Sequence, residues 1–344
     1  MSKRFASARL IGGRVLSALP ILFGVIVLTF VLVRVLPGDP AAFFSSSPNA
    51  GKAEVEMLRQ QLGLDKSLPQ QFLVYLQGLT KGELGISLVS GQPVARDLAE
   101  RLPATLELAL VAFVIGCGIA VPLGVMAALR QGSWIDHLCR LVTSVGSAVP
   151  TFFFGLLLIL FFFYLLGWAP EPIGRLPAGM SVPPRITGML LFDAPAAGDW
   201  ETWRIAAAQI VLPALSMAIF ALAPIARMTR ASMLGVISSE FVRAARAFGI
   251  GQHRVLLRYT LRNALLPVIT TLGMVMSTML GANVMVEKVF SWPGVGSYAL
   301  DALVSLDYAP VQGYILVVGV LFVLINMVID IAYSLVDPRV KVEA

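Results

Sequence analysis

The stretch EFVRAARAFGIGQHRVLLRYTLRNALLP, residues 240–267, is the one long basic segment between apolar spans in this chain. From Arg227 to Arg262 seven arginines stand against a single acid, Glu240. Phe241, Ala244, Ala245 and Phe248 recur at helical spacing, and so do Val255, Leu256 and Tyr259. Gly249 and Gly251 fall between the two patterns, where a helix is expected to stop and turn. The spacing predicts two short helices joined by an elbow at the water face of a membrane protein. Paired alanines, an elbow glycine and an apolar face are more than a plain connector needs, so the segment reads as a docking surface. The residues alone leave a second reading open, an amphipathic helix held at anionic lipid headgroups by its arginines.

Composition places the segment. Charged residues make up 13% of the chain and hydrophobic ones 57%, where a soluble domain carries about a quarter charged residues. The chain is therefore an integral membrane protein. The net charge of +6 gathers at the ends of apolar runs, which argues against nucleic-acid binding. Two cysteines, Cys117 and Cys139, make neither a disulfide framework nor a metal site.

Apolar runs of spanning length fall at residues 15–35, 106–129, 138–166, 205–225, 264–286 and 313–336. The expectation is an all-α protein with six transmembrane helices. The first run is too long for a signal peptide, and Arg34 at its far end is expected to snorkel to the interface. With a cytoplasmic amino terminus, the inner segments hold fifteen of the 26 basic residues and only four of the 20 acids. The bias predicts both termini and the 240–267 loop inside.

The boundaries that follow are a cytoplasmic terminus at 1–14, a first span at 15–35, an extracytoplasmic lobe at 36–104, a core at 105–336 with the basic loop at 227–263, and a cytoplasmic tail at 337–344. In the lobe, helical patterns at 55–62 and 68–79 precede the turn Gly82-Glu83-Leu84-Gly85, and Pro93 opens a third helix. Residues 173–203, rich in Pro, Gly and Ala, read as a loop. In the second span Gly116, Ala120, Gly124 and Ala128 form a stripe for close helix approach. Pro122, Pro150, Pro213, Pro224 and Pro267 lie in or beside spans and permit kinks.

No phosphate-binding GxxxxGK[ST] loop, GxSxG or HExxH occurs, and His137 and His253 are far apart, so catalytic and metal residues are not expected. Polar groups in spans single out Asn283, Glu287, Asn326 and Asp330 as a candidate translocation path, against the alternative of interhelical hydrogen bonds. Met274, Met276 and Met279 read as adaptable packing, and Trp292 as an interfacial anchor.

Ala244-Ala245-Arg246-Ala247-Phe248-Gly249, with Glu240 before it and Asn263-Ala264-Leu265-Leu266-Pro267 after it, resembles the coupling loop of ABC-importer permeases. More closely the chain resembles the dipeptide/oligopeptide/nickel permease family. Pro37-Gly38-Asp39-Pro40, Leu62-Gly63-Leu64-Asp65, Gly82 to Ser87, Arg101 to Leu106, Phe290 to Gly296, Asp307-Tyr308 with Val311-Gln312-Gly313, and Asp337-Pro338-Arg339 carry the same resemblance. One departure is Arg243, which stands where the general pattern has an acid.

The resemblance implies a Type I importer permease fold. It also implies a second, similar permease subunit, two ATPase subunits carrying ATP and Mg, and an extracytoplasmic binding protein that delivers a peptide. In that setting Glu240, Phe241, Arg243, Ala244, Ala245, Arg246, Phe248, Gly249 and Pro267 would couple to the ATPase, and this chain would bind no cofactor. Two other classes stay in view: an ion-driven carrier, which should show carboxylates in matched repeats, and a membrane scaffold.

Overall fold

A computed structural model describes residues 19–31, 34, 56–57, 59–60 and 63–336. The expectations for residues 1–14, the Pro37–Pro40 turn, most of the 55–62 pattern and the 337–344 tail lie outside the described residues, as does the side chain of Asp330. The described elements are helices, apart from one bridge between Ile86 and Pro93.

Helix α1 covers Leu19–Val31, and α2 covers Leu68–Thr80 in the lobe. Ser67 and Gln70 form a capping box at the start of α2. Phe30 of α1 meets Phe72 and Tyr75 of α2 at ring separations of 5.0 and 6.0 Å. The Arg34 guanidinium lies 3.6 Å over the Phe30 ring, and its Nε donates to Gln71 at 3.0 Å. Arg34 is thus drawn onto the lobe instead of simply reaching for headgroups.

After the turn at Gly82 and Gly85, both in the left-handed region, α3 runs from Val94 to Leu129. It passes unbroken through the expected lobe–core boundary at 104. At 36 residues it is about 54 Å long, well beyond the ~30 Å of hydrocarbon, so it extends past the bilayer core.

The expected third span is two helices. α4 (Trp134–Ala148) and α5 (Thr151–Leu165, with a wide turn from Ile159) meet at 106°. Pro150 supplies no N–H, and it holds Val149 extended at φ −92°, ψ 126°, so the helix cannot continue. The 173–203 stretch is not all loop. It contains α6 (Leu190–Ala196), whose Asp193 takes the N–H groups of Ile186, Thr187 and Gly188 and the Thr187 hydroxyl. That carboxylate winds the connection around itself, a long-range arrangement with no periodic signature.

α7 (Trp200–Ile237) is the central rod, capped at its start by Asp199. Short α8 (Glu240–Ala247) follows, then α9 (Gln252–Gly281), α10 (Val284–Val289), α11 (Val295–Val304) and α12 (Tyr308–Val336). Among the described residues, α3, α7, α9 and the Tyr308–Ile329 part of α12 are each long and apolar enough to cross a membrane, and the bent α4–α5 pair reaches that length and apolarity only when its two helices are taken together. Of the first expected span, residues 15–35, the described part is α1 with residue 34.

The small-residue stripe of α3 faces α7. A Cβ on Gly116 would sit 2.9 Å from that of Ala221, and one on Gly124 only 2.7 Å from the Ala226 carbonyl oxygen. Ala120 is fully buried between these two glycines, and Ala128 closes the stripe against Met233 and Ala264. In lipid, where apolar area drives no association between helices, this backbone proximity is what holds α3 to α7.

Replacing Gly124 with Val should destabilise the bundle by about 1–3 kcal/mol, because the new methyls meet backbone that cannot yield. Thermal unfolding in detergent checks this, with Gly118→Val, at an open position, as the control. Burial alone would raise the Asp193 carboxyl, but its four hydrogen bonds outweigh it and hold the group below the usual 3.8. A depressed carboxylate stabilises above its unfolded value and loses that contribution as pH falls, so amide exchange at residues 186–188 should accelerate below about pH 4.

Candidate functional site

α8 starts at Ser239, in extended conformation, and places Glu240 in its first turn, where the positive end of the helix favours an acid. It ends in a Schellman arrangement: Ile250 N–H reaches the Ala245 carbonyl at 3.2 Å, and Gly249 N–H reaches that of Arg246 at 3.0 Å. Gly249 has φ +71°, a conformation that an L residue resists, while the space around it is open. The elbow therefore needs glycine for its backbone and not for room.

The helix has two apolar faces. Val242 and Ala245 are buried against Val255, Val236, Ile250 and Tyr259, which fixes α8 to the first turns of α9. Phe241 and Phe248, 47% and 85% exposed, lie on the other side with Ala244 between them. The two alanines expected to share one docking face are thus divided, Ala244 outward and Ala245 inward. The second expected short helix is the beginning of α9, so the elbow joins a short helix to a long one. Pro267 lies well up α9 and is exposed, apart from the α8 surface.

Arg243 and Arg246 of α8, and Arg254, Arg258 and Arg262 of the first turns of α9, are all exposed. Glu240 pairs with Arg243 at 3.1 Å, both side chains well exposed, a contact worth well under 1 kcal/mol in water. Arg230 differs: its Nε and Nη2 both donate to Asp136, which is fully buried and also takes Arg140 at 2.7 Å and the Gly132 N–H at 3.0 Å. This cluster ties the start of α4 to the last turns of α7, one element before α8. In sequence it was visible only as charge, since nothing local pairs residues 136 and 230.

The candidate path residues fall into different settings. Asn283 and Glu287 are fully buried and line no open surface. Glu287 accepts from the Thr105 hydroxyl at 2.6 Å, the Asn283 amide at 3.0 Å and the Ser297 N–H at 2.8 Å. Cβ atoms on Gly294 or Gly296 would strike its carboxylate. Trp292, expected at the membrane edge, is 2% exposed and donates its indole N–H to the Ala104 carbonyl at 2.9 Å. The 290–297 turn is thereby folded over α3, and the large ring is buried because its one polar atom finds a backbone partner there. Asn326 bonds back to Phe322 of its own helix at 2.8 Å.

Beside this hub, Asp97 accepts from Tyr298 and Ser90, and Asp307 from Ser87 and the Val89 N–H. These contacts dock the lobe onto α11 and α12. The 101–106 and 307–313 segments stand out in the sequence, but nothing local in it names their partners. Among the described residues no group of His, Cys, Asp and Glu could hold a metal ion.

Together, these features describe a multi-span helical protein that carries a rigidly mounted basic helix at one end. The family described as "Binding-protein-dependent transport system inner membrane component" matches residues 120–342, and its amino-terminal companion matches residues 7–109. Similar proteins include the di/tripeptide transport system permease protein of Pseudomonas aeruginosa, 40% identical over 94% of this chain and 96% of that one. The probable D,D-dipeptide transport system permease protein of Escherichia coli K12 is 39% identical over 92% and 93%. A glutathione transport system permease protein of Escherichia coli O6:H1 is 36% identical over 95% and 97%. The chain belongs to the binding-protein-dependent transport permeases: it is a multi-pass inner-membrane component of an ABC transporter and works with other subunits.

Removing the Glu287 carboxylate should be costly, because three buried donors lose their acceptor. Glu287→Ala is expected to destabilise the protein by about 3 kcal/mol or more, and Thr105→Val by about 1 kcal/mol. Unfolding of both variants and of the double mutant should give strongly non-additive losses.

Proposed function

We propose that this chain is one of two permease subunits of an ATP-driven importer for di- and oligopeptides. The observation that carries the proposal is the exposed Phe241–Ala244–Phe248 face, mounted on a buried Val242–Ala245 face, with exposed arginines on α8 and the first turns of α9. Such a surface suits a groove with acidic rims on an ATPase subunit: two aromatic anchors fill pockets, Ala244 admits close approach, and the arginines set orientation. Because Gly249 and the inner face lock α8 to α9, a push on α8 moves the long span with it. The Asp136–Arg230 cluster extends the same rigidity to α4.

In this reading both termini and α8 are cytoplasmic, as the arginine bias favours. A second permease subunit completes the path, two ATPase subunits hold ATP and Mg, and an extracytoplasmic protein delivers the peptide near the lobe. This chain performs no bond chemistry. It converts closure of the ATPases into alternating access. Peptide cargo is favoured by relatives named for dipeptides and tripeptides, and the relative named for glutathione supports the variant reading of another small peptide-like solute. A nickel chelate is the remaining variant within the resemblance.

The test separates the two faces of α8. Ala244→Asp and Phe248→Ala should leave folding intact yet cut ATPase association and vanadate-sensitive peptide uptake at least tenfold in proteoliposomes holding the assembled complex, the loss expected for interface hot spots of about 1.4 kcal/mol or more. Ala245→Asp should instead lower thermal stability. Unchanged uptake with both outward variants would overturn the coupling role, and vanadate-insensitive uptake would favour an ion-driven carrier.

A further inference from the structure

The break between α4 and α5 opens onto a cavity of about 540 Å³, lined by Ser147, Val149, Pro150 and Thr151 on one side and by Phe220 and Pro224 of α7 on the other. Its volume falls within the range of small-molecule sites, about 300–1,000 Å³. Phe220 and Pro224 lie toward the carboxy-terminal end of the apolar run at 205–225, and Arg227, which donates to Ser147, follows within one turn.

Non-helical backbone within an apolar span leaves hydrogen-bonding groups without partners, and it is tolerated only inside protein or beside a water-filled space. Here the Val149 N–H reaches the Val145 carbonyl, and the Pro150 carbonyl takes the Phe154 N–H. Among the described residues, the carbonyls of Ala148 and Val149 and the N–H groups of Thr151, Phe152 and Phe153 have no partner in the backbone network. The Ser147 hydroxyl donates to the Thr143 carbonyl and accepts from Arg227, which leaves one lone pair, and Thr151 adds a second hydroxyl. The lining holds no ionised side chain. It offers neutral donors and acceptors, most of them belonging to the main chain.

We propose that this break is a station on the translocation path that hydrogen-bonds the main-chain amides of a passing peptide without reading its side chains. The amide is the one group that peptides of every sequence share, and it presents a donor and an acceptor together, as the broken backbone does. Asn283 and Glu287, enclosed in their own network, are not part of this surface. The inference rests on the importer reading and adds where in this chain the cargo is held.

The experiment uses the assembled permease–ATPase complex in nanodiscs, with Cys117 and Cys139 replaced by Ala and single cysteines at Ala148, Val149 or Ala223. A charged methanethiosulfonate reagent should label these cysteines, and a cysteine at Val114, exposed within the apolar stretch of α3, should stay unlabelled. Ala-Ala-Ala should slow labelling, Ser-Phe-Ala should protect to a similar extent, and an N-methylated tri-alanine should protect about fivefold less, the loss expected from about one neutral hydrogen bond. Thr151→Val should weaken protection by every peptide alike.

Absence of labelling at all three positions overturns the water-filled station. Equal protection by the N-methylated peptide overturns main-chain reading, and so does protection that follows side-chain type. Uptake by the same complex reconstituted into proteoliposomes, with ATP and binding protein added, keeps the two ideas apart. Uptake without protection sinks only the station, whereas labelling without uptake of any peptide sinks the importer reading.

Discussion

The close approach of α3 and α7 is the constraint on which the other contacts depend. Glycines at 116 and 124 with a buried alanine at 120 let two long rods touch backbone to backbone, where any larger side chain on the stripe would collide with Ala221, Ala226 or Thr229. In water such an interface would be poor, because it buries little apolar side chain. In lipid it is favourable, since packing replaces the missing hydrophobic drive. With that pair fixed, α4 is placed against the lower part of α7 and α9 against its other flank, and the ends of both rods become reference points for the lobe and the basic helix.

Polar contacts then do locally what the stripe does globally. At one end Glu287, Thr105 and Trp292 fold the 290–297 turn over α3, while Asp97 and Asp307 hold the lobe. At the other end Asp136 gathers Arg230 and Arg140. Each carboxylate is buried and accepts at least two hydrogen bonds, although those of Asp307 both fall on Oδ2 and its buried Oδ1 has none. Between these two tied ends Pro150 breaks α4 from α5, while Ser216 and Arg227 of the continuous α7 hydrogen-bond to Thr151 and Ser147 on either side of the break.

Much of this was legible in the sequence because the signals are periodic or compositional. Spanning lengths, the basic loop, the Gly116–Ala128 stripe and the elbow at Gly249 follow from local pattern. What escaped was non-local. Trp292 read as an interfacial anchor because an aromatic beside a Pro-Gly turn usually is one, and only the Ala104 carbonyl, 188 residues away, makes its burial tolerable. Asp193 looked like part of a loop until its four donors were brought around it. Ala244 and Ala245 share one amphipathic pattern, yet the packing of Val255 decides which of them faces in.

By itself, then, the amino-acid sequence determined that this is a helical membrane protein of several spans with a basic helix at one end, since hydropathy, charge bias and glycine placement act through near neighbours in the chain. Tertiary structure alone decided that the third span is broken at 106°, that Asn283 and Glu287 are interior struts, and that Phe241 and Phe248 face out while Ala245 faces in. Those outcomes turn on which distant backbone group or side chain meets each residue, and no local periodicity encodes that.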